Sequence, residues 1–157
     1  MRNESRFIGV ISDTHGLVRP QALRELEGAR LICHAGDVGK PDVIASLEKI
    51  APVIAIKGNN DRGGWAKRLP TTAIAEIESF RIYLLHDFKK LSFDPAAKGF
   101  HAVISGHSHR PSVTEKAGVL FLNPGSAGPR RFNLPITVAR LAIEGNSLSV
   151  VIIPLHV

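Results

Sequence analysis

The segment FIGVISDTHG, residues 7–16, joins a short apolar run to a polar turn that ends in glycine. A continuous apolar run of this length indicates a strand that is buried on both faces, because a strand with one wet face would alternate. Asp13, Thr14 and His15 end the run, and Gly16 allows the chain to turn after them. The segment therefore predicts a buried strand whose carboxyl end carries polar side chains.

Helical patterns separate this run from two further apolar runs, at residues 31–33 and 53–56. The first helical pattern begins at Pro20 and ends at Gly28, and the second begins at Pro41. Proline in the first turn and glycine after the last turn are common helix boundaries. The order strand, helix, strand, helix, strand predicts a parallel sheet with right-handed crossovers.

The second half of the chain is richer in strand patterns. Residues 72–77 alternate at period two and are closely followed by the apolar run 81–85, which predicts a hairpin. Residues 88–99 are predicted as a loop with at most a short helix. Further strands are predicted at residues 102–104, 113–115, 119–122, 136–143 and 148–153. We therefore predict an α/β fold in one domain, residues 1–157, with two packed sheets and helices outside them.

The composition indicates an ordinary globular domain. With 44% hydrophobic and 22% charged residues among 157, the chain has enough apolar surface to form a core. A single cysteine, Cys33, excludes an internal disulfide and suits a reducing compartment. The polar start MRNESR lacks the features of a signal peptide, and no run approaches the ~18 apolar residues of a membrane span. We expect a cytoplasmic protein without a membrane partner.

The net charge of +6 raises the question of an anionic partner. The basic residues are scattered, with only short pairs such as Lys89-Lys90 and Arg130-Arg131. Aromatic residues make up 6% of the chain, which is few for a base-stacking surface. We therefore do not expect a nucleic-acid partner, and we interpret the charge as a basic surface that attracts anions.

Polar side chains with metal-binding chemistry follow five successive predicted strands. In an open α/β sheet, the carboxyl ends of parallel strands line the crevice where ligands bind. One such group alone is more often part of a surface turn, but a series at consecutive strand ends indicates a common site. His34, which lies within a strand, is predicted to be packed or to support that site. Seven candidate metal ligands follow the strands: Asp13, His15, Asp37, Asn59, His86, His107 and His109.

The number and spacing of these groups predict two metal ions. In an extended segment, residues i and i+2 point the same way, so Asp13 and His15 should act together. The same holds for His107 and His109. Seven groups exceed the three or four that one closed site takes, and two-metal sites act on phosphate esters. Four nitrogen and three oxygen donors favour a divalent transition metal over magnesium or calcium, with manganese first and iron, zinc, nickel or cobalt as alternatives.

Six motifs occur in order along the chain: Asp13-Thr14-His15, Gly36-Asp37, Gly58-Asn59-Asn60-Asp61, His86, Gly106-His107-Ser108-His109 and Asn123-Pro124-Gly125-Ser126. This series resembles that of the calcineurin-like metallophosphoesterases, and it covers nearly the whole chain. Within that family, it is most similar to the short, single-domain bacterial and archaeal phosphodiesterases. The resemblance implies a four-layer α/β/β/α sandwich of two mixed β-sheets flanked by helices.

The resemblance also implies how the site is divided. One ion would be held by Asp13, His15 and His109. The other would be held by Asn59, His86 and His107, with Asp37 as the bridging ligand. The implied activity is hydrolysis of a small phosphate-ester substrate, a diester rather than a monoester, through attack by a metal-bound hydroxide.

Two positions depart from the family pattern. Asn60 stands where the larger family carries a histidine and the small phosphodiesterases often carry cysteine, which puts protonation of the leaving group in question. We predict Asn60 and Asp61 as catalytic candidates, with Asn60 also contacting the substrate. Asp87 stands where the family has glycine and adds a negative charge beside the metals. Arg130 and Arg131 are predicted to bind the substrate, against the alternative of a solvated pair.

The sequence also leaves a role other than catalysis open. Fold does not fix function, and a retromer subunit that shares this fold serves as an interaction surface. A metal-binding scaffold with vestigial activity is therefore the alternative hypothesis. The complete set of seven ligand groups favours the enzyme. The natural substrate and the oligomeric state, a homo-oligomer included, stay open.

Overall fold

The computed structural model describes residues 7–157, so the expectations for segment 1–6 lie outside the described residues. The helices are α1 (Pro20–Leu26) and α2 (Pro41–Glu48), and short 3₁₀ turns occupy Ala66–Arg68 and Phe88–Lys90. None of the helices described is long and apolar enough to cross a membrane. The strands are β1 (Phe7–Ile11), β2 (Leu31–His34), β3 (Val53–Ala55), β4 (Thr72–Ile77), β5 (Phe80–Leu85), β6 (Ala102–Ile104), β7 (Ser112–Lys116), β8 (Val119–Asn123), β9 (Thr137–Glu144) and β10 (Ser147–Pro154).

The first sheet has the strand order β10-β9-β1-β2-β3. Strands β1, β2 and β3 are parallel and alternate with α1 and α2, as the sequence predicts. On the other side of β1, the last two strands of the chain add in antiparallel orientation, with Ile8 opposite Leu141. The carboxyl ends of β1, β2 and β3 therefore lie at one edge of the sheet.

The second sheet has the strand order β4-β5-β6-β8-β7. Strands β4 and β5 form the predicted hairpin, with Ile77 opposite Phe80 next to the turn. Strands β5, β6 and β8 are parallel, so their carboxyl ends also share one edge. Both sheets are thus mixed, and each has a parallel part that can carry a site at its edge.

Apolar side chains define the layers of the molecule. Ile8 and Ile82 are fully buried in the cluster between the two sheets. Ile11 packs with Leu26 of α1 on the outer face of the first sheet. On the outer face of the second sheet, Val103 packs beneath the loop that follows β5. The predicted sandwich of two mixed sheets is confirmed, and within residues 7–157 a 3₁₀ turn and a loop form its fourth layer.

Candidate metal centre

The carboxyl ends of the parallel strands from both sheets meet at one edge of the sandwich. The Asp13 N–H donates to the Gly36 carbonyl at 3.0 Å, and the Gly106 N–H donates to the His86 carbonyl at 2.9 Å. These two pairs of loops touch. A Cβ atom at Gly36 would come within 2.6 Å of His86 Nδ1, and one at Gly106 would collide with Ser12 and Asp13. Glycine at both positions therefore allows the two sheets to bring their loops together.

The backbone of the predicted ligands adopts an unusual conformation. Residues with a Cβ atom seldom have a positive φ, and each such conformation costs roughly 1–3 kcal/mol. The prediction that Asp-x-His and His-x-His act as extended pairs is therefore wrong, because both residues of each pair have a left-handed backbone. Conformations of this kind collect at functional sites. Five of the seven predicted ligands have a left-handed backbone conformation, with φ of 56° at Asp13, 49° at His15, 55° at Asp37, 72° at His107 and 65° at His109.

Two groups of side chains present ligand atoms close enough to share a metal ion. In the first group, one atom each of Asp13, His15 and His109 lie within 4.8 Å of one another. Asp13, Asp37 and His86 form the second group by the same measure. Asp37 Oδ2 lies 3.8 Å from His15 Nε2 and 3.3 Å from His86 Nε2. Both carboxylates thus lie between the two sets of imidazoles.

Several buried polar atoms at the two ligand groups are suited to a positively charged partner. A buried polar atom without a hydrogen bond costs about 1–3 kcal/mol. Imidazole nitrogens and carboxylate oxygens are suitable ligands for divalent transition metals, so a cation would satisfy them. The donor set therefore fits metal ions. Four buried atoms of the two groups have no hydrogen-bond partner within residues 7–157: Asp13 Oδ1, His15 Nε2, His86 Nε2 and His109 Nδ1.

The Asp13 carboxylate is held from one side only. Its Oδ2 accepts hydrogen bonds from the Ser12 hydroxyl at 2.8 Å and from the His107 backbone N–H at 3.1 Å. Its Oδ1 lies 3.5 Å from His109 Nε2 and 3.9 Å from His86 Nε2. Burial raises the pKa of Asp13 to about 6, because the charged form has lost its water. A cation beside Oδ1 would offset this cost.

The Asp37 carboxylate is held by Asn60. The Asn60 backbone N–H donates to Oδ1 at 2.9 Å, and its side-chain amide donates to Oδ2 at 3.2 Å. Burial alone would raise the pKa of Asp37, but the neighbouring His86 and the Asn60 N–H outweigh it and the pKa is lowered. Asp37 is therefore ionised at neutral pH, and Asn60 touches the predicted bridging carboxylate directly.

The His86 ring is oriented by the main chain. Its Nδ1 donates to the Ala35 carbonyl at 2.7 Å, so Nε2 is left with a lone pair beside the carboxylates. Burial lowers the pKa of His86, but Asp37 and the Ala35 carbonyl outweigh it and the net shift is upward. The two remaining predicted ligands, Asn59 and His107, are exposed. The His107 ring lies 5.2 Å from the His86 ring, centroid to centroid.

The two arginines that were predicted to bind the substrate have different surroundings. Burial lowers the pKa of His109 to about 4, and the charges of His15 and Arg131 add to that shift. Burial also lowers the pKa of His15, with Arg131 adding to the effect and Asp37 opposing it. The positive charge of Arg131 thus disfavours protonation of two imidazoles of the first ligand group. Arg130 donates instead to the Leu134 carbonyl of its own loop, at 3.1 Å.

Asp61, predicted as a catalytic candidate, is buried and accepts three backbone hydrogen bonds. The donors are the N–H groups of Val38 at 3.1 Å, Gly39 at 2.8 Å and Gly58 at 2.9 Å. These bonds join the loops after β2 and β3, which carry two of the predicted ligands. The geometry shows that Asp61 positions these loops, and its catalytic role stays a prediction.

A buried histidine and a threonine fix the loop after β1. The Gly36 N–H donates to His34 Nδ1 at 3.2 Å, so the proton of the neutral ring is on Nε2. This Nε2 donates to the Thr14 hydroxyl at 2.9 Å, which donates in turn to the Val38 carbonyl at 2.8 Å. Burial lowers the pKa of His34 to about 3, which keeps the ring neutral. Thr14 therefore supports the predicted ligands on either side of it. The sequence alone does not indicate this role, because a threonine between two ligands carries no distinctive signal.

The Asn-Pro-Gly-Ser turn supports the site from the second sheet. The Asn123 amide donates to the Gly106 carbonyl at 2.8 Å, and the Ser126 hydroxyl donates to the Asp13 carbonyl at 3.1 Å. The turn therefore ties the loops of the two sheets together. Its side chains are engaged with backbone groups, in agreement with a structural role.

Asp87, the second departure from the family pattern, bonds to its own turn. Its Oδ1 accepts a hydrogen bond from the Lys89 N–H at 3.1 Å and caps the 3₁₀ turn Phe88–Lys90. The cap fixes the position of Phe88, whose surface is 47% exposed. Asp87 thus shapes the surface next to the candidate metal centre.

Comparison with known proteins gives a match over most of the chain. A family model described as the calcineurin-like phosphoesterase superfamily domain matches residues 7–146. A probable metallophosphoesterase of Methanothermobacter thermautotrophicus is 38% identical in an alignment that covers 94% of this chain and 91% of the relative. Sequence similarity therefore spans every ligand residue named above.

Solved structures share the fold at lower identity. Vacuolar protein sorting 29 from Cryptosporidium parvum matches with a TM-score of 0.82 and 22% identity, covering 98% of this chain and 93% of that one. An archaeal phosphodiesterase matches with a TM-score of 0.72 and 24% identity, covering 94% and 99%. At these identities, the likeness shows a common fold.

Proposed function

The chain belongs to the calcineurin-like phosphoesterase superfamily, and on that premise we propose that it is a metal-dependent hydrolase with a dinuclear centre that prefers phosphodiesters. The main support is the pair of ligand groups that share Asp13 and contain four buried atoms without a hydrogen-bond partner among residues 7–157. The net charge of +6 favours the approach of an anionic substrate.

The proposed ligand sets follow the two sides of the centre. We assign one ion to Asp13, His15 and His109. We assign the other to Asn59, His86 and His107, with Asp37 between them. The position of Asp37 Oδ2 near both His15 Nε2 and His86 Nε2 supports this division. Nitrogen and oxygen donors favour manganese first, with iron, zinc, nickel or cobalt as alternatives.

The residues of the chain position the reacting groups. When bound, divalent ions supply an activated water and neutralise charge on the phosphoryl group. Ser12 and the His107 N–H hold the Asp13 carboxylate, and the Ala35 carbonyl holds the His86 ring, so the ligands are preorganised. The charge of Arg131 acts on His109 of the first ligand group, and we assign its guanidinium to a phosphoryl oxygen of the substrate.

Asn60 limits which esters can be cleaved. A leaving alkoxide must take up a proton unless it is stable as an anion. The Asn60 amide can donate a hydrogen bond but cannot act as an acid, and the Asp61 carboxylate already accepts three N–H bonds. We therefore expect aryl diesters to be cleaved much faster than alkyl esters.

The experiment is a series of aryl and alkyl phosphate mono- and diesters, graded by leaving-group pKa, with manganese-loaded protein. We expect kcat/KM to be higher for diesters and to fall steeply as the leaving group becomes more basic. Asn60→His should accelerate esters with poor leaving groups selectively, since general acid catalysis contributes typically ~10²–10⁴-fold. A flat dependence while chemistry limits the rate would show that another residue supplies the proton. Metal binding without hydrolysis would favour the scaffold alternative.

A further inference from the structure

A cavity of about 800 Å³ lies on the outer face of the second sheet, away from the metal-ligand loops. Apolar side chains form much of its wall, among them Phe88, Leu91, Phe93 and Phe121. Its volume falls within the range of small-molecule sites, roughly 300–1,000 Å³. Nothing in the proposed chemistry at the ligands explains an apolar cavity on this face.

A smaller cavity, of about 330 Å³, lies between it and His107 of the candidate metal centre and is lined by residues of both. Phe88, Thr114 and Phe121 line both cavities, and His107 lines the smaller one. The His107 N–H donates to Asp13 Oδ2, and its ring lies beside that of His86. The two cavities therefore adjoin each other along these three residues, and together we call them the Phe88–Phe121 groove, which reaches His107 at the ligand loops.

The aromatic walls of this groove are held in place. The Phe88 and Phe121 rings pack edge to face, with centroids 5.6 Å apart and planes at 79°. The Asp87 side chain caps the turn that carries Phe88. Flat aromatic ligands pack well on such rings, because edge and face carry opposite partial charges.

We propose that the Phe88–Phe121 groove binds a flat aromatic substituent of the phosphate ester while the phosphoryl group lies among the ligand residues. This rests on the proposed function, which places the phosphoryl group there. The groove starts at His107, so a substituent attached to the phosphorus atom can enter it directly. Lys89 and Lys116 also line it and add positive charge for an anionic ester. Phe88 is then a specificity-determining residue.

The test compares two phosphonates that cannot be hydrolysed, methylphosphonate and 1-naphthylmethylphosphonate, by calorimetry with manganese-loaded protein. We expect the naphthyl compound to bind at least about tenfold more tightly. Phe88→Ala should remove most of this preference and leave methylphosphonate binding unchanged. Ile74→Ala is the matched control, because Ile74 is 48% exposed against 47% for Phe88 and lies on the edge strand β4.

Equal binding of the two phosphonates by wild type, or no measurable binding of either, would overturn the proposal. An equal loss of the naphthyl preference in Phe88→Ala and Ile74→Ala would overturn it as well. Sedimentation of wild type and Phe88→Ala gives a further check, since a groove covered by a second copy would make the variant dissociate, and that result would also overturn it. The proposed function fails separately. A naphthyl preference without hydrolysis of any ester would support binding in the groove and contradict the proposed hydrolase function. Hydrolysis without the naphthyl preference would support the hydrolase function and contradict binding in the groove.

Discussion

Between the two sheets, Ile8, Ile82 and Leu141 are fully buried on strands of the sandwich. At the edge of the same sandwich, Asp13 and Asp37 have left-handed backbone conformations. The ligand groups around them contain buried atoms that lack a hydrogen-bond partner in the part of the chain that the structure describes. The apolar layer stabilises the fold, whereas the ligand loops carry conformational and desolvation costs. Since a cation would offset much of the second cost, the difference indicates that the loops are preorganised for binding.

The largest effect is expected from the carboxylate between the imidazoles. Asp37→Asn keeps the size of the side chain but removes the negative charge that would hold two cations together in the proposed centre. We expect loss of at least one metal ion and a fall in kcat of several orders of magnitude, with an unchanged fold. Elemental analysis, steady-state kinetics and circular dichroism measure the three quantities. Turnover near wild type with two ions still bound would contradict the assignment of Asp37.

The apolar layer should respond in the opposite way. Leu141→Ala leaves a cavity between the sheets and should lower the free energy of unfolding by ~2–5 kcal/mol. Because the ligand loops are built separately, kcat per folded molecule should not change. Urea denaturation and kinetics at a temperature where the variant is fully folded test both expectations. A large loss of kcat in folded protein would show that the two regions are coupled.

The cost carried by the ligand loops should be visible in the metal-free protein. The pKa of Asp13 is raised from 3.8 to about 6, so in that interval the folded protein binds more protons than the unfolded chain. The contribution of Asp13 to stability therefore falls as the pH rises through this window. Asp13→Asn removes this pH-dependent contribution. At neutral pH, the free energy of unfolding of the metal-free variant should therefore exceed that of metal-free wild type by up to ~3 kcal/mol.

This difference between Asp13→Asn and wild type should shrink towards zero as the pH falls to about 4. Urea unfolding of chelator-treated proteins across that range gives the comparison. Adding manganese should reverse the order at neutral pH, since the wild type alone keeps the full ligand set. A metal-free wild type that is the more stable protein at neutral pH would contradict the proposed cost.

The smallest expected effect concerns the two arginines. Arg131→Ala should raise KM about tenfold, because a charge next to the first ligand group is lost, which corresponds to ~1.4 kcal/mol. Arg130→Ala is the matched control and should leave both kinetic constants unchanged, since its guanidinium bonds to the Leu134 carbonyl. Equal effects of the two substitutions would return Arg131 to the solvated surface.

The apolar layer and the order of the first strands could be predicted from the sequence for a clear reason. Burial on both faces demands continuous apolar runs, and residues 7–11 and 102–104 are such runs. The positions of ligand candidates such as His86 also follow, because parallel strands end at the same edge. These features depend on local pattern and on general rules of topology.

The geometry of the ligand loops could not be predicted in the same way. Left-handed backbone at Asp13 and His107 is imposed by contacts from distant loops, and no local signal marks it in residues with a Cβ atom. The pairing of β9 with β1 joins the two ends of the chain, which a local pattern does not show. The carboxylate of Asp61 could be named as a candidate, but its three backbone donors come from two separate loops.

The dinuclear centre is tested most directly by counting metal ions per chain. The measurement is elemental analysis after manganese loading and gel filtration, for wild type, His86→Ala and His109→Ala. Each variant removes an imidazole from one side of the centre only. We predict two ions per chain in wild type and close to one in each variant. One ion or none in wild type at saturating manganese, or two ions still bound in both variants, would contradict a centre built from two ligand sets.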